Sequence, residues 1–319
     1  MTVLDNLIFS LNATMPIFLM MVIGYGLKKF GKVNDQITSA INQLVFKMFL
    51  PALLFMDLAK QDFIKMWDTK FVCFCSGITV ISIIIATLIS LTLKDKLDRG
   101  EFIQASYRSA AATLGIAFMT NIYDNVAMVA LMILASVPIY NVVAVLILSL
   151  TAPKDNEAVL GHALLKKTFI NLITNPIILS ILAGLAWSLL KIPMPMIMNK
   201  SMTYLADVAS PLALIGLGAS FELHDLKEKL APIIMININK LFLFCLAFLP
   251  LAVYMGFRND TLVAALIMLG SATTSSSFIM AKNMGHRGVI SSCAVMTTTF
   301  FSSFTLTLWL FILRSLGLI

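Results

Sequence analysis

The chain has 319 residues, 59% of them hydrophobic and 12% charged, with a mean hydropathy of +0.93. One soluble core cannot hide that much apolar surface, so lipid must solvate it. The formal net charge of +7 is spread over the connections between apolar runs, which reads as membrane topology rather than as a nucleic-acid surface.

At about 20 apolar residues per crossing, the chain divides into ten spans. They lie near residues 6–27, 36–58, 70–93, 102–122, 126–150, 168–190, 196–220, 232–256, 260–281 and 288–314. The period-two segments of a membrane β-barrel are absent. The first run follows Asp5 rather than a basic stretch and continues as a full span, so it does not read as a signal peptide. The longest polar connection, TAPKDNEAVLGH from Thr151, is too short for a soluble domain. Loops on one side of the ten spans carry thirteen basic residues and those on the other carry seven. The positive-inside rule then puts both termini outside the cell membrane. Cys73, Cys75, Cys245 and Cys293 fall in apolar text without disulfide or metal spacing, and His162, His224 and His286 are scattered through loops, so no metal site is expected.

An internal repeat organises these spans. Pro16 and Pro51 recur as Pro176 and Pro211, an offset of 160 in each case. At the same shift PIFLMMVIG (16–24) lies over PIILSILAG (176–184), and Ala112, Thr113 and Phe118 lie over Ala272, Thr273 and Phe278. Five spans per half is an odd number, so the halves, residues 1–155 and 156–319, must be inverted relative to each other. The expected fold is an all-α membrane protein of ten transmembrane helices in two inverted five-helix repeats. Secondary transporters with this topology place their substrate site near the midplane, between interrupted helices.

The stretch GSATTSSSFIM (270–280) stands in the ninth span, and SAAATLGIAFM (109–119) is its counterpart in the fourth. Small residues and Gly115 in one, and five consecutive hydroxyls (273–277) in the other, suit broken helices that cross at mid-depth. Hydroxyls can satisfy backbone groups that lipid cannot, and half-helix N-termini would present positive dipole ends to an anion. The candidate substrate-binding residues are therefore Thr113, Gly115, Asn141, Thr273, Thr274, Ser275, Ser276 and Ser277. The alternative is ordinary Ser/Thr bonding between intact helices.

LPALLF (50–55), VPIYNVVAV (137–145), TNPI (174–177) and SPLALIGLGASF (210–221) resemble the auxin efflux carrier family of membrane transporters, bacterial branch, along nearly the whole chain. The resemblance implies the fold shared by bile-acid symporters and sodium/proton antiporters. Spans one, two, six and seven would form a scaffold, and spans three to five and eight to ten a mobile transport domain. It further implies carriage of small organic anions or weak acids, often outward, by a homodimer joined through the scaffold. Two departures stand out. Family members often carry Asn two residues after the arginine that opens span four, where this chain has Ala110, and a proline at the crossing, which is absent here between Ala272 and Phe278.

Ionisable residues inside spans are expensive and are usually paired or functional. Lys47 and Asp207 are repeat-equivalent, each four residues before a proline. They would either neutralise one another or couple protons to transport. Arg108 would snorkel to the interface about two turns from the break or guide an anion towards it. Asn141 would bind a carboxylate or cap a broken helix. Asp57 and Asp124, near outer helix ends, read as solvated. No cofactor is called for, and no phosphate-cradling, metalloprotease or nucleophile-elbow motif supports an enzyme. The sequence thus predicts a secondary transporter that exports small organic anions, with proton coupling, sodium coupling and uniport all left open, and with a passive anion channel as the alternative.

Overall fold

The computed structural model describes residues 3–60, 67–111, 119, 122–123, 127–152, 174–221 and 228–319. Its regular elements are helices, with no strand among the described residues. Six of its helical stretches are long and apolar enough to cross a membrane: Asp35–Ala59, Thr69–Ser90, Met128–Thr151, Met196–Ser220, Leu230–Tyr254 and Val289–Ser315. Pro176–Leu189 and Asn259–Gly270 are shorter apolar helices.

Helix α1 (Val3–Lys29) leads to α2 (Asp35–Leu44), which starts where the Asn34 side chain accepts the Ile37 N–H at 2.9 Å. A π turn, Val45–Phe49, then runs into α3 (Leu50–Ala59). Pro51 has no N–H to return to the carbonyl four residues back, and a wider turn just ahead of it absorbs the mismatch. After α4 (Thr69–Ser90), capped by Asp68, come α5 (Arg99–Tyr107) and α6 (Ala127–Thr151). Asn175 caps α7 (Pro176–Leu189) by accepting the Ile177 N–H at 2.9 Å, with Pro176 at the first helical position where its missing donor costs nothing. Helix α8 (Met196–Ser220) follows. Next come α9 (Leu230–Ile238), a second π turn at Asn239–Leu243, and α10 (Phe244–Tyr254). The chain closes with α11 (Asn259–Gly270), α12 (Ser276–Asn283) and α13 (Val289–Ser315).

Two close helix pairs stand out, α1 with α8 and α3 with α7, and α8 also packs on α3. Glycine permits both approaches. A Cβ on Gly218 would collide with the Met21 carbonyl oxygen and one on Gly24 with that of Ile215, while one on Gly184 would lie 2.8 Å from the Phe55 carbonyl. Close backbone approach through small residues is how helices bind one another where hydrophobicity cannot discriminate protein from lipid. Around α4, α5, α6 and α11 a second group packs into a core centred on residues such as Phe71, Ile103, Leu131 and Leu266.

At one end of this second group a carboxylate joins α5 to the start of α13. Buried Glu101 accepts the Gly288 N–H on Oε1 at 2.7 Å and the Ser291 N–H on Oε2 at 2.9 Å, which caps α13. Nearby, Lys229 pairs with Asp98 and Asp95, with Arg287 at the edge of the same group.

Candidate functional site

Two helices stop in the interior. Helix α5 ends at Tyr107, and Arg108 turns extended at φ −72°, ψ 136°. Helix α11 ends at Gly270, Ser271 turns extended at φ −75°, ψ 163°, and α12 starts at Ser276. In the second case the local reason is plain, since serine and threonine hydroxyls compete with helical hydrogen bonds. In the first, no proline or glycine forces the break, and its backbone is satisfied by the other chain segment.

The broken segments meet through their main chains. The Ala110 N–H donates to the Ala272 carbonyl at 2.8 Å. Thr273 Oγ1 donates to the Ala105 carbonyl at 2.8 Å, its own N–H donates to Thr298 Oγ1 at 2.9 Å, and Gln104 Nε2 donates to the Ser277 carbonyl at 2.9 Å. Lys240, fully buried in the second π turn, donates from Nζ to the Tyr107 carbonyl at 3.2 Å. Its Nζ thus supplies a donor to the C-terminal end of α5, where carbonyls lack helical partners. The bonds to the Ala105 and Tyr107 carbonyls meet groups that the C-terminal end of α5 leaves without a helical partner.

Arg108 lies inside this construction with 1% of its surface exposed. It donates to Gln104 Oε1 at 3.1 Å, Met280 Sδ at 2.9 Å, Asn141 Oδ1 at 2.8 Å and Ser276 Oγ at 2.7 Å. Its Nε has no partner, and among the described residues no carboxylate forms an ion pair with it. Asn141 is held in turn by its Nδ2 bond to the Val137 carbonyl at 2.8 Å. A buried guanidinium surrounded by neutral acceptors is a large unbalanced cost unless an anion completes it.

Space for that anion is adjacent. A cavity of about 290 Å³ lies between the crossing and helices α3 and α8. Arg108, Asn141 and Thr274–Ser276 face it from one side, and Leu50, Asp57, Ser210 and Ala213 from the other. The N-terminus of α12 opens at Ser276 on the same cavity.

Several expectations from the sequence change here. Arg108 was expected near the inner helix end, two turns from the break; it stands at the break itself, because α5 ends eight residues before Gly115. Thr113 and Gly115 lie outside the described residues. Thr274, Ser275, Ser276 and Asn141 border the cavity, and Thr273 also lines it while stitching the crossing. Ser277 is fully buried with its Oγ unbonded, and it contributes its carbonyl to Gln104 rather than a wall to the cavity. Lys47 and Asp207 are both exposed and form no ion pair with each other. Asp57, read as a solvated helix end, instead lines the cavity. Gln104 was not singled out, although its position four residues before Arg108 puts the two on one helix face. Asp124 lies outside the described residues.

A helical membrane protein in which the end of α5 meets the interruption between α11 and α12 beside a buried cation and a cavity is built as a membrane transporter. The family comparison agrees: a family described as "Membrane transport protein" matches residues 9–310, and the chain belongs to that family. This bears out the resemblance carried by the four motifs, and with it the expectation of a transporter rather than an enzyme. Over 314 residues the chain is 24% identical to a Rhizobium meliloti (strain 1021) protein whose name provisionally assigns it to malonate transport, covering 94% of this chain and 95% of that one. In fold it is similar to the sodium proton antiporter MjNhaP1 from Methanocaldococcus jannaschii, with a TM-score of 0.59, 11% identity, and coverage of 94% of this chain and 97% of the other.

Proposed function

We propose that this protein is a secondary carrier of small carboxylates, working by alternating access with the substrate held at the crossing. One observation carries the reading: the guanidinium of Arg108 is buried without a counter-ion at the wall of a cavity. A carboxylate there would gain a charge-assisted hydrogen bond, and the N-terminus of α12 adds about half a positive charge. The cavity is close to the lower end of small-ligand sites, about 300 Å³, which suits a short carboxylate such as the malonate in the relative's name.

The architecture that goes with this reading is ten spans in two inverted halves, with spans one, two, six and seven as scaffold. Two packing contacts support it. Gly24 meets the backbone of Ile215, and Gly184 meets the backbone of Phe55. Residues 24 and 184 differ by 160, as do 55 and 215. Each contact is therefore the other with the halves exchanged, as a pseudo-two-fold axis requires. Alternating access also needs a route on the other side of the site. A second polar cavity of about 290 Å³ follows along the same helices, bordered by Lys28, Asn42, Lys282 and Arg287. Beside the second cavity α12 touches α2, where Asn283 Nδ2 donates to the Asn42 carbonyl at 3.3 Å. Three of those border residues belong to the loops assigned to the cytoplasm, which goes with both termini outside. A homodimer through the scaffold completes the reading, because Lys47 and Asp207, exposed in mid-span, are poorly tolerated by lipid and a second copy would cover them.

The test is uptake of labelled malonate, acetate and indole-3-acetate into proteoliposomes containing the purified protein, with and without proton or sodium gradients. A carrier gives saturable uptake that unlabelled substrate trapped on the far side accelerates. Flux proportional to concentration, without that acceleration, would replace the carrier with a channel. Absence of any carboxylate flux would remove the substrate class.

A further inference from the structure

The cavity at the crossing contains a second charge that the carboxylate-carrier reading does not use. Among its lining residues Arg108 and Asp57 are the charged ones, and they do not form an ion pair. Asp57 is partly buried, and among the described residues its carboxylate has neither a hydrogen bond nor an ion pair. Its surroundings offer little compensation. On its own helix end, Lys60 turns to Thr203 Oγ1 at 3.1 Å. Helix α7, packed tightly on α3, has no ionisable side chain in PIILSILAGLAWSL. Helix α8 has Lys200, Tyr204 and Asp207, all exposed, and the adjoining π turn has Lys47, also exposed. Across the cavity stand Arg108 and the Tyr140 phenol.

We propose that Asp57 is the proton-carrying group that admits a dicarboxylate to this cavity. The inference rests on the carboxylate-carrier reading. Arg108 balances one carboxylate of a short dianion. In about 290 Å³ the second carboxylate has nowhere to go that is far from Asp57. Two carboxylates sharing a site of low polarity do not both stay ionised, and one proton is taken up between them. In the step, a proton leaves bulk water and forms an O–H bond on Asp57, from which it hydrogen-bonds the distal carboxylate. As the transport domain moves off the scaffold helix α3, the O–H bond on Asp57 breaks and the proton passes to the distal carboxylate, which carries it to the other face and gives it up to water there. One proton therefore crosses with each dianion, in the same direction, and a net single negative charge crosses with them. A monocarboxylate bound to Arg108 has no second charge to offset and needs no proton.

The experiment uses the full chain in proteoliposomes, with labelled malonate and labelled acetate as probes and the membrane potential clamped. Each protein's response to the gradient is taken relative to its own malonate counterflow. Across about one pH unit, one coupled proton supports about tenfold malonate accumulation by wild type, whereas acetate, whose neutral acid crosses the bilayer unaided, gains nothing over protein-free liposomes under the same gradient. In Asp57→Asn the gradient response disappears while counterflow remains measurable, and in Asp57→Glu the response is retained. A second measurement does not depend on any variant: malonate added to solubilised wild type in weak buffer should withdraw about one proton per malonate bound. A gradient-independent wild type that still runs counterflow, an Asp57→Asn protein with the full gradient response, or binding without proton uptake would each overturn the role of Asp57 and leave the carrier standing. Absence of malonate counterflow in wild type would overturn the carrier reading, and this inference with it.

Discussion

Replacing Arg108 separates the anion site from the scaffolding around it. Arg108→Met removes three hydrogen bonds to oxygen acceptors, those to Gln104, Asn141 and Ser276. Bonds to a charged donor contribute about 1.5–3 kcal/mol each, but the cost of burying an unpaired cation disappears in the same step. The two nearly offset each other, so stability should change by no more than about 2 kcal/mol, read as a thermal unfolding midpoint in detergent. Transport has no such offset. Loss of a charge-assisted contact of about 3 kcal/mol lowers malonate kcat/KM by at least about 100-fold. Arg108→Lys keeps the charge but not the planar fork that spans Asn141 and Ser276, and it should lose about tenfold. Malonate counterflow in proteoliposomes measures both variants. Transport by Arg108→Met within about threefold of wild type, in a folded protein, would refute the argument that this cation holds the substrate.

Three further outcomes follow from the packing and charges. Gly218→Ala forces a methyl group onto the Met21 carbonyl and should destabilise by about 1–3 kcal/mol or more, whereas Gly26→Ala on α1, whose nearest neighbour is a Phe30 ring carbon 3.9 Å away, should be neutral or slightly stabilising in the same thermal assay. Glu101→Gln turns an amide N–H towards one of two backbone donors, costs about 1–3 kcal/mol, and should raise hydrogen exchange at residues 288–291. The Lys229 cluster should contribute no pH dependence near neutrality. The Asp95 carboxyl is held below its ordinary 3.8, first by the Leu97 N–H and then by Lys229, so its contribution is complete above that value and is lost as the pH falls below it. The Lys229 ammonium is raised above its ordinary 10.5, chiefly by Asp98, so its contribution is complete below that value and lost only in stronger base. A thermal midpoint that moves between about pH 5 and 9 in wild type but not in Asp98→Asn would contradict this.

Much of this protein was legible in its sequence because membranes impose one-dimensional rules. Span length, the absence of barrel periodicity, the loop charges and the four family motifs all lie along the chain, and they lead to a helical membrane transporter. The hydroxyl run at 272–277 also announced a helix break, because serine and threonine weaken a helix wherever they cluster. The break after Tyr107 had no such announcement. It depends on the Ala110 N–H finding the Ala272 carbonyl, a partner 162 residues away. Only the tertiary structure therefore decided that Arg108 is a buried cation at the crossing rather than a snorkelling helix end. It likewise decided that Asp57 lines the cavity while Lys47 and Asp207, the more conspicuous mid-span charges, turn outward. The physical reason is common to these cases. Sequence spacing sets which residues share a helix face, but the rotation of that face towards a cavity, a neighbour or lipid is set by close backbone packing, as at Gly24, Gly184 and Gly218.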